Sequence, residues 1–340
     1  MRSTRRCVGR FAVTGDAPAR SSAFRDGGDD TEREHRLGVA AGVAAYGLWG
    51  VFPIYFHLLS PAGPIEILCH RILWSLAVIA VALAWRRDVS WIRPLLGRPR
   101  QLAELALAAV LIAVNWLLYV WAVDEDRVVD AALGYFINPL VTVMLAVILL
   151  GERLRRLQWI AVGLGGVAVV VIAVGYGEVP YVALALAFSF AGYGFLKKRV
   201  TLTPAQSLGA ETAILAPVAT VAMVLLDRGD GLTFGQEPGL SLLLATSGVV
   251  TAVPLVLFAA SARRIPLTML GLLQFLTPTL QFLCGVLVFQ EPMSAERWIG
   301  FALVWVALMC MSFDALRRLR TGEQLHDSDE AVVAATADLG

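Results

Sequence analysis

Long apolar runs separated by short charged segments dominate the chain. A bilayer core about 30 Å thick asks for roughly 20 consecutive apolar residues per helix. Runs of that kind lie near 37–58, 65–84, 102–123, 128–150 and 157–175, and again near 179–197, 208–226, 240–260, 267–289 and 296–313. A segment in lipid has to satisfy its own backbone polar groups, so each run predicts a helix. The fold class expected is all-α and integral to the membrane, with ten transmembrane helices. Residues 1–36 are rich in Arg, Asp, Gly and Ser, and residues 319–340 are polar or weakly apolar, so both stretches read as disordered tails.

The loops carry charge in alternation. With the N-terminus inside, the inward loops and the C-terminal tail hold Arg86, Arg87, Arg93, Arg98, Arg100, Arg153, Arg155, Arg156, Lys197, Lys198, Arg199, Arg263, Arg264, Arg317, Arg318 and Arg320. The outward loops hold Arg127, Arg228 and Arg297. Positive charge collects on the cytoplasmic side of a membrane protein. Both termini are therefore expected in the cytoplasm, and adding or removing one helix would scramble the pattern.

The two sets of five helices also resemble each other in sequence. A shift of 139 residues lays YFINPLVTVMLAVILLGERLRRLQWIAVG on QFLTPTLQFLCGVLVFQEPMSAERWIGFA, so that Phe136 meets Phe275, Pro139 meets Pro278 and Glu152 meets Glu291. A shift of 144 to 145 places Glu66 on Glu211. Each unit, 37–175 and 179–318, has an odd number of helices, so the second must insert upside down. Inverted repeats of this kind build alternating-access carriers, with the solute site near the midplane where the repeats meet.

Composition agrees with a membrane protein and excludes other classes. Hydrophobic residues make up 58% and charged residues 16%, against about 45–50% and about 25% in soluble domains. The net charge of +1 offers no bulk attraction to nucleic acid. Cys7, Cys69, Cys284 and Cys310 form no CxxC or zinc-ligand spacing, and the last three read as small apolar fillers. No metal or cofactor is expected. The GLGGVA at 163–168 has the spacing of a nucleotide fingerprint, but it lies inside an apolar span and reads as close helix packing, as does the pair Gly38 and Gly42. No HExxH, GxSxG or Walker loop occurs, so neither hydrolytic chemistry nor ATP-driven pumping is expected of this chain.

Within the spans a few polar residues are candidates for solute contact. Arg71, in EILCHRILWS, is the one Lys or Arg inside a predicted span away from its ends, and a central Arg costs about 2.5–3.5 kcal/mol on insertion scales. Glu66 and His70 stand at i,i+4 on the same face, and His70 is a group able to carry protons near neutral pH. The functional reading is a cationic site for an anionic or carbonyl-bearing solute; the competing reading is an arginine snorkelling to the interface. Asn115 and Asn138, the only asparagines, both fall in spans and serve either as interhelical glue or as solute contacts. Asn138 precedes Pro139 as Thr277 precedes Pro278, with Tyr135 and Gln274 one turn earlier. Two proline-broken helices are expected to line the cavity, with Tyr135 and Phe275 packing the solute. Glu211 is either a proton carrier or an interfacial carboxylate. Glu152 and Glu291, at helix ends, are expected to bond neighbouring helices.

The stretches AAYGLWGVFPIYF, EILCHRILWS, NWLLYVWAV, LGYFINPLVTVMLAVILLGERLRRLQWIAV, LAFSFAGYG and GLLQFLTPTL resemble the RarD branch of the EamA transporters, in the drug/metabolite transporter superfamily. The likeness spans about residues 37 to 318. It implies a ten-helix permease of the bacterial inner membrane built from two EamA repeats, with Glu66, His70 and Arg71 matching the family pattern in the second helix. The expectation is a secondary carrier of a small metabolite or drug-like solute, with the lipid bilayer as its other partner and proton coupling and oligomeric state left open. A channel or sensor without a transport cycle is the alternative. An intramembrane lipid-modifying enzyme fits less well, because only one cluster of ionisable residues is seen.

Overall fold

A computed structural model describes residues 23–321 apart from 152, 198 and 230. The order is α1 (Ala23–Gly50), α2 (Phe52–His57), α3 (Pro64–Trp85), α4 (Ile92–Leu96), α5 (Pro99–Asp124), α6 (Val128–Leu150) and α7 (Arg156–Tyr176). It continues with α8 (Tyr181–Lys197), α9 (Pro204–Arg228), α10 (Pro238–Ala262), α11 (Leu267–Leu273), α12 (Leu276–Leu283), a π-helical turn (Cys284–Val288) and α13 (Ala295–Thr321). Among the described residues nine helical segments are long and apolar enough to span a membrane, with α8 as a shorter apolar tenth. Together they match the spacing of apolar runs along the sequence.

The starts are written locally. Pro64, Pro99, Pro204 and Pro238 open α3, α5, α9 and α10 at the first helical position, where a missing N–H costs nothing. Thr203 and Gln206 close a reciprocal capping box on α9, which therefore begins ahead of the apolar run at 208.

Two expectations are corrected. Of the stretch 1–36 read as a disordered tail, residues 1–22 lie outside the described residues, whereas 23–36 belong to α1. There Arg36 and Glu32 pair one turn apart, and Glu34 meets Arg264 at 2.7 Å, contacts that favour helix over coil. The run 267–289 is broken, as its proline predicts. Pro278 cannot donate to the carbonyl of Gln274, and the chain breaks there between α11 and α12. The second correction is its counterpart α6, expected to be broken in the same way, which runs unbroken through Pro139.

Helix packing has a regular plan. Two pairs join a helix to its own counterpart, α7 to α13 and α3 to α9; α6 packs on α8 as α12 packs on α1, α5 on α8 as α10 on α1, and α3 on α10 as α9 on α5. Exchanging each of the first five spans for the one five places later leaves these pairings unchanged. Small residues set the separations. At Gly248 of α10 an added Cβ would lie 2.4 Å from the Trp74 carbonyl of α3. Gly38 and Gly42 seat α1 against Arg264, Ile265 and Ser261, and within 163–168 it is Gly165 that meets Leu140. Large apolar side chains such as Val81, Trp85, Val174 and Val218 point outward, as a lipid-facing surface requires.

Candidate functional site

Arg71 sits two turns into α3 and is buried, with 5% of its surface exposed. It does not snorkel. Its Nε donates to Thr251 Oγ1 on α10 at 3.0 Å. Its guanidinium lies 4.1 Å from the ring centre of Trp116 on α5, and 5.4 and 5.7 Å from those of Phe56 and Phe52 on α2. Four elements therefore converge on this cation. Such stacking suits Arg because its planar, weakly hydrated head lies flat on aromatic faces. Among the described residues no carboxylate stands within ion-pair distance of it.

The aromatic wall continues away from Arg71. Phe56 meets Tyr119 with ring centres 5.9 Å apart, and Tyr119 meets Tyr135 at 5.7 Å. The Tyr135 hydroxyl donates to Asn115 Oδ1 at 3.0 Å. Asn115 Nδ2 donates in turn to the Leu186 carbonyl and to Ser189 Oγ, both at 3.1 Å. Asn115 thus joins α5, α6 and α8, while Tyr135 faces both Asn115 and the cage. The Tyr119 hydroxyl is buried and has no partner among the described residues, an orphan of the kind that marks a ligand or water position.

His70 and Glu66 share a face as their spacing predicts, but they do different work. His70 Nε2 is 3.9 Å from Glu66 Oε1 and makes no hydrogen bond among the described residues, while Nδ1 accepts from Trp74 Nε1 at 3.2 Å. Accepting at Nδ1 makes His70 a neutral imidazole in this arrangement. Glu66 turns to a distant loop instead. Its carboxylate accepts from the Thr233 N–H and hydroxyl and from the Phe234 N–H, between 2.8 and 3.1 Å. Its repeat counterpart Glu211 accepts from Lys197 Nζ at 2.7 Å, Ser207 Oγ at 2.8 Å and Tyr193 at 3.2 Å. The base that the local sequence around Glu211 lacks comes from the end of α8.

The remaining candidates lie elsewhere. Asn138 donates to the Ala187 carbonyl of α8 at 3.0 Å, and Thr277 to the Tyr46 carbonyl of α1 at 2.8 Å, corresponding bonds in corresponding helix pairs. Phe275 borders a second, apolar groove with Phe136, Thr279, Trp305 and Leu308. Gln274 is exposed at the break before α12. Among the described residues no hydrogen bond or ring contact joins Gln274, Phe275 or Thr277 to the Arg71 cage. Glu152 lies outside the described residues. Glu291 bonds a neighbouring helix end, accepting from Val128 and Val129 at the start of α6. Beside it, Asp130 bridges Arg127 at 2.9 Å and Arg297 at 3.0 Å.

Sequence reasoning missed Trp116, Phe52, Phe56, Tyr119 and Thr251. The one visible signal was Thr251, a hydroxyl inside an apolar span; the aromatic residues are indistinguishable from lipid-facing ones until the helices pack.

Comparison with known proteins adds an independent line. Residues 36–174 match the EamA-like transporter family. The chain is 50% identical over 306 residues to a protein of Streptomyces exfoliatus named RarD, covering 90% of this chain and 97% of that one. It is 41% identical to RarD of Escherichia coli K12, covering 84% and 96%, and 42% identical to an uncharacterized transporter of Pseudomonas aeruginosa, again covering 84% and 96%. A solved crystal structure superposes with a TM-score of 0.55 at 18% identity, covering 82% of this chain and 98% of the other, a likeness of fold alone.

Proposed function

The chain belongs to the RarD branch of the EamA-like transporter family and is a multi-pass membrane transporter, and from that premise we propose that it is a secondary carrier moving a small anionic or amphipathic solute by alternating access. The observation that carries this reading is Arg71: a buried cation without a carboxylate partner among the described residues, walled by aromatic rings where α2, α3, α5 and α10 meet. A permanent charge so placed is retained where a ligand of opposite charge completes it. The carrier works in the inner membrane of a bacterium with both termini in the cytoplasm, as two repeats over 37–175 and 179–318. The self-matching helix pairings support rocking of one repeat against the other. His70, next to Arg71, is the group to take up a proton if transport is proton-coupled, at the Nδ1 that now accepts from Trp74.

The test compares deletion cells carrying the wild-type chain, Arg71→Ala or empty vector, following metabolites inside and outside with the pH gradient present and collapsed. A solute moved by wild type alone identifies the cargo and places Arg71 on its path. Equal movement by Arg71→Ala removes Arg71 from the path. No difference between wild type and empty vector under either gradient rejects the carrier reading.

A further inference from the structure

The Arg71 guanidinium has five N–H groups and does not lose its proton in proteins. Nε is engaged by Thr251, and one face is covered by Trp116. Among the described residues nothing accepts from Nη1 or Nη2. Those two nitrogens form the parallel fork that matches both oxygens of one carboxylate. The rest of the cage is aromatic (Phe52, Phe56, Trp116, Tyr119), with the Tyr119 hydroxyl as the unpartnered polar atom beside it.

We propose that the Arg71 cage takes a monocarboxylate on a flat apolar or aromatic body, one at a time, and that the protein is consequently an exchanger, crossing the membrane loaded in both directions. This rests on the carrier reading above and names its substrate class and coupling.

Three features select the ligand. The cage holds one fixed positive charge, because its neighbour His70 accepts at Nδ1 and is neutral. A dianion would therefore bring one charge into the bundle without a counter-charge, which is strongly unfavourable in a low dielectric. The nearest carboxylate on the same helix, Glu66, lies about 7.5 Å further along the axis and is saturated by Thr233 and Phe234. No acid is left to hold an ammonium group, so zwitterions and amines are disfavoured beside Arg71. Aromatic walls then reward a flat apolar body by stacking.

The coupling follows from the same charge. In the occluded intermediate both mouths are closed and water is excluded. An empty carrier must pass through that state with Arg71 uncompensated, whereas a loaded one passes with a neutral, bidentate ion pair. Every 1.4 kcal/mol of difference between the two is about tenfold in rate, and an uncompensated buried charge costs several times that. Return of the empty carrier is the slow step, so net flux is slow and exchange is fast.

The experiment uses the full-length protein purified in detergent and then in proteoliposomes. Binding is read by tryptophan fluorescence with phenylpyruvate as the monoanion, phenylalanine as the zwitterion, and phthalate and phenyl phosphate as the multiply charged anions. Trp116→Phe identifies the signal from the cage. Uptake of labelled phenylpyruvate is then measured into vesicles that are empty or loaded with the unlabelled compound. The expected result is binding of phenylpyruvate at least tenfold tighter than the other three, and uptake at least tenfold faster into loaded vesicles. Arg71→Gln abolishes both. Thr251→Val, which frees Nε without removing the charge, weakens binding about threefold to tenfold and preserves the order of preference, separating loss of the site from loss of the fold.

Equal or tighter binding of phthalate, phenyl phosphate or phenylalanine overturns the monocarboxylate assignment, as does unchanged selectivity in Arg71→Gln. Uptake independent of the internal anion overturns the exchanger. Absence of phenylpyruvate binding, in a protein that still moves a solute in the cell experiment, overturns the proposal while leaving the carrier reading intact.

Discussion

Glu291 closes the start of α6: one carboxylate oxygen accepts from the Val128 N–H at 2.5 Å, across 163 positions of sequence. The same carboxylate accepts from Val129 at 3.1 and 3.2 Å, so it occupies the positive end of the helix where orphan N–H groups need an acceptor. Burial nevertheless pushes its pKa up from 4.5 to about 7, and the charges of Asp130 and Asp126 add to the rise, outweighing the two N–H groups that lower it. A pKa higher in the folded state means stability that is present at low pH and lost as pH rises through the folded value. Wild type is therefore expected to lose about 3 kcal/mol between pH 4.5 and 7 through this group. Glu291→Gln keeps one acceptor oxygen and removes the titration. Melting in detergent across that range should converge for the two proteins at low pH and favour Glu291→Gln above neutrality; parallel curves would contradict the assignment.

Asn115 holds three helices at once through Leu186, Ser189 and Tyr135. Single interhelical bonds in a membrane are worth about 0.6 kcal/mol on average. Asn115→Ala removes three and strands the Tyr135 hydroxyl, so a loss of about 2 kcal/mol is expected. Unfolding by SDS titration measures it, and a loss below about 0.5 kcal/mol would show that these bonds are replaced on truncation.

Gly248 has no room for a side chain, whereas Gly194 has nothing within 4 Å of its added Cβ. Gly248→Val pushes α10 off the Trp74 backbone and, three residues on, draws Thr251 away from Arg71. It should cost about 3 kcal/mol and abolish transport. Gly194→Ala, in the last turn of α8, should be neutral or stabilising by up to about 1 kcal/mol. Thermal melts of the pair decide the matter; equal behaviour would mean that the α3–α10 contact yields easily.

Glu66 anchors the 233–234 turn rather than the solute cage. In a variant whose four cysteines are replaced by alanine, Gln236→Cys should label with a membrane-impermeant maleimide added to intact cells, because that loop faces outward in the proposed topology. Combining Phe234→Cys with Glu66→Ala should raise the labelling rate at 234 about tenfold, the effect of losing roughly 1.4 kcal/mol of local closure. Labelling of Gln236→Cys only after the cells are opened would reverse the topology.

Much of the fold is readable from the chain because the bilayer imposes a length and a polarity on every span. The ten apolar runs reappear as the spanning helices, and the alternation of arginine sets their proposed sense. Local chemistry placed the helix starts at Pro64, Pro99, Pro204 and Pro238. It did less well at Pro139, where a break was expected as at Pro278. The same residue leaves α6 continuous and breaks the chain before α12, because whether a freed carbonyl distorts a helix depends on what packs beside it.

The site divides in the same way. Sequence alone determined that Arg71 would be unusual, since a charge in a span is costly wherever it points, and that Glu66 and His70 would share one face of the same helix. It could not say that Glu66 would be taken by Thr233 and Phe234, that Glu211 would find Lys197, or that Trp116, Phe56 and Thr251 would surround Arg71. Those partners come from other helices, up to 180 positions away. Hydropathy decides which residues enter the membrane; only the packing of helix on helix, with contacts such as Gly248 against Trp74, decides which of them meet.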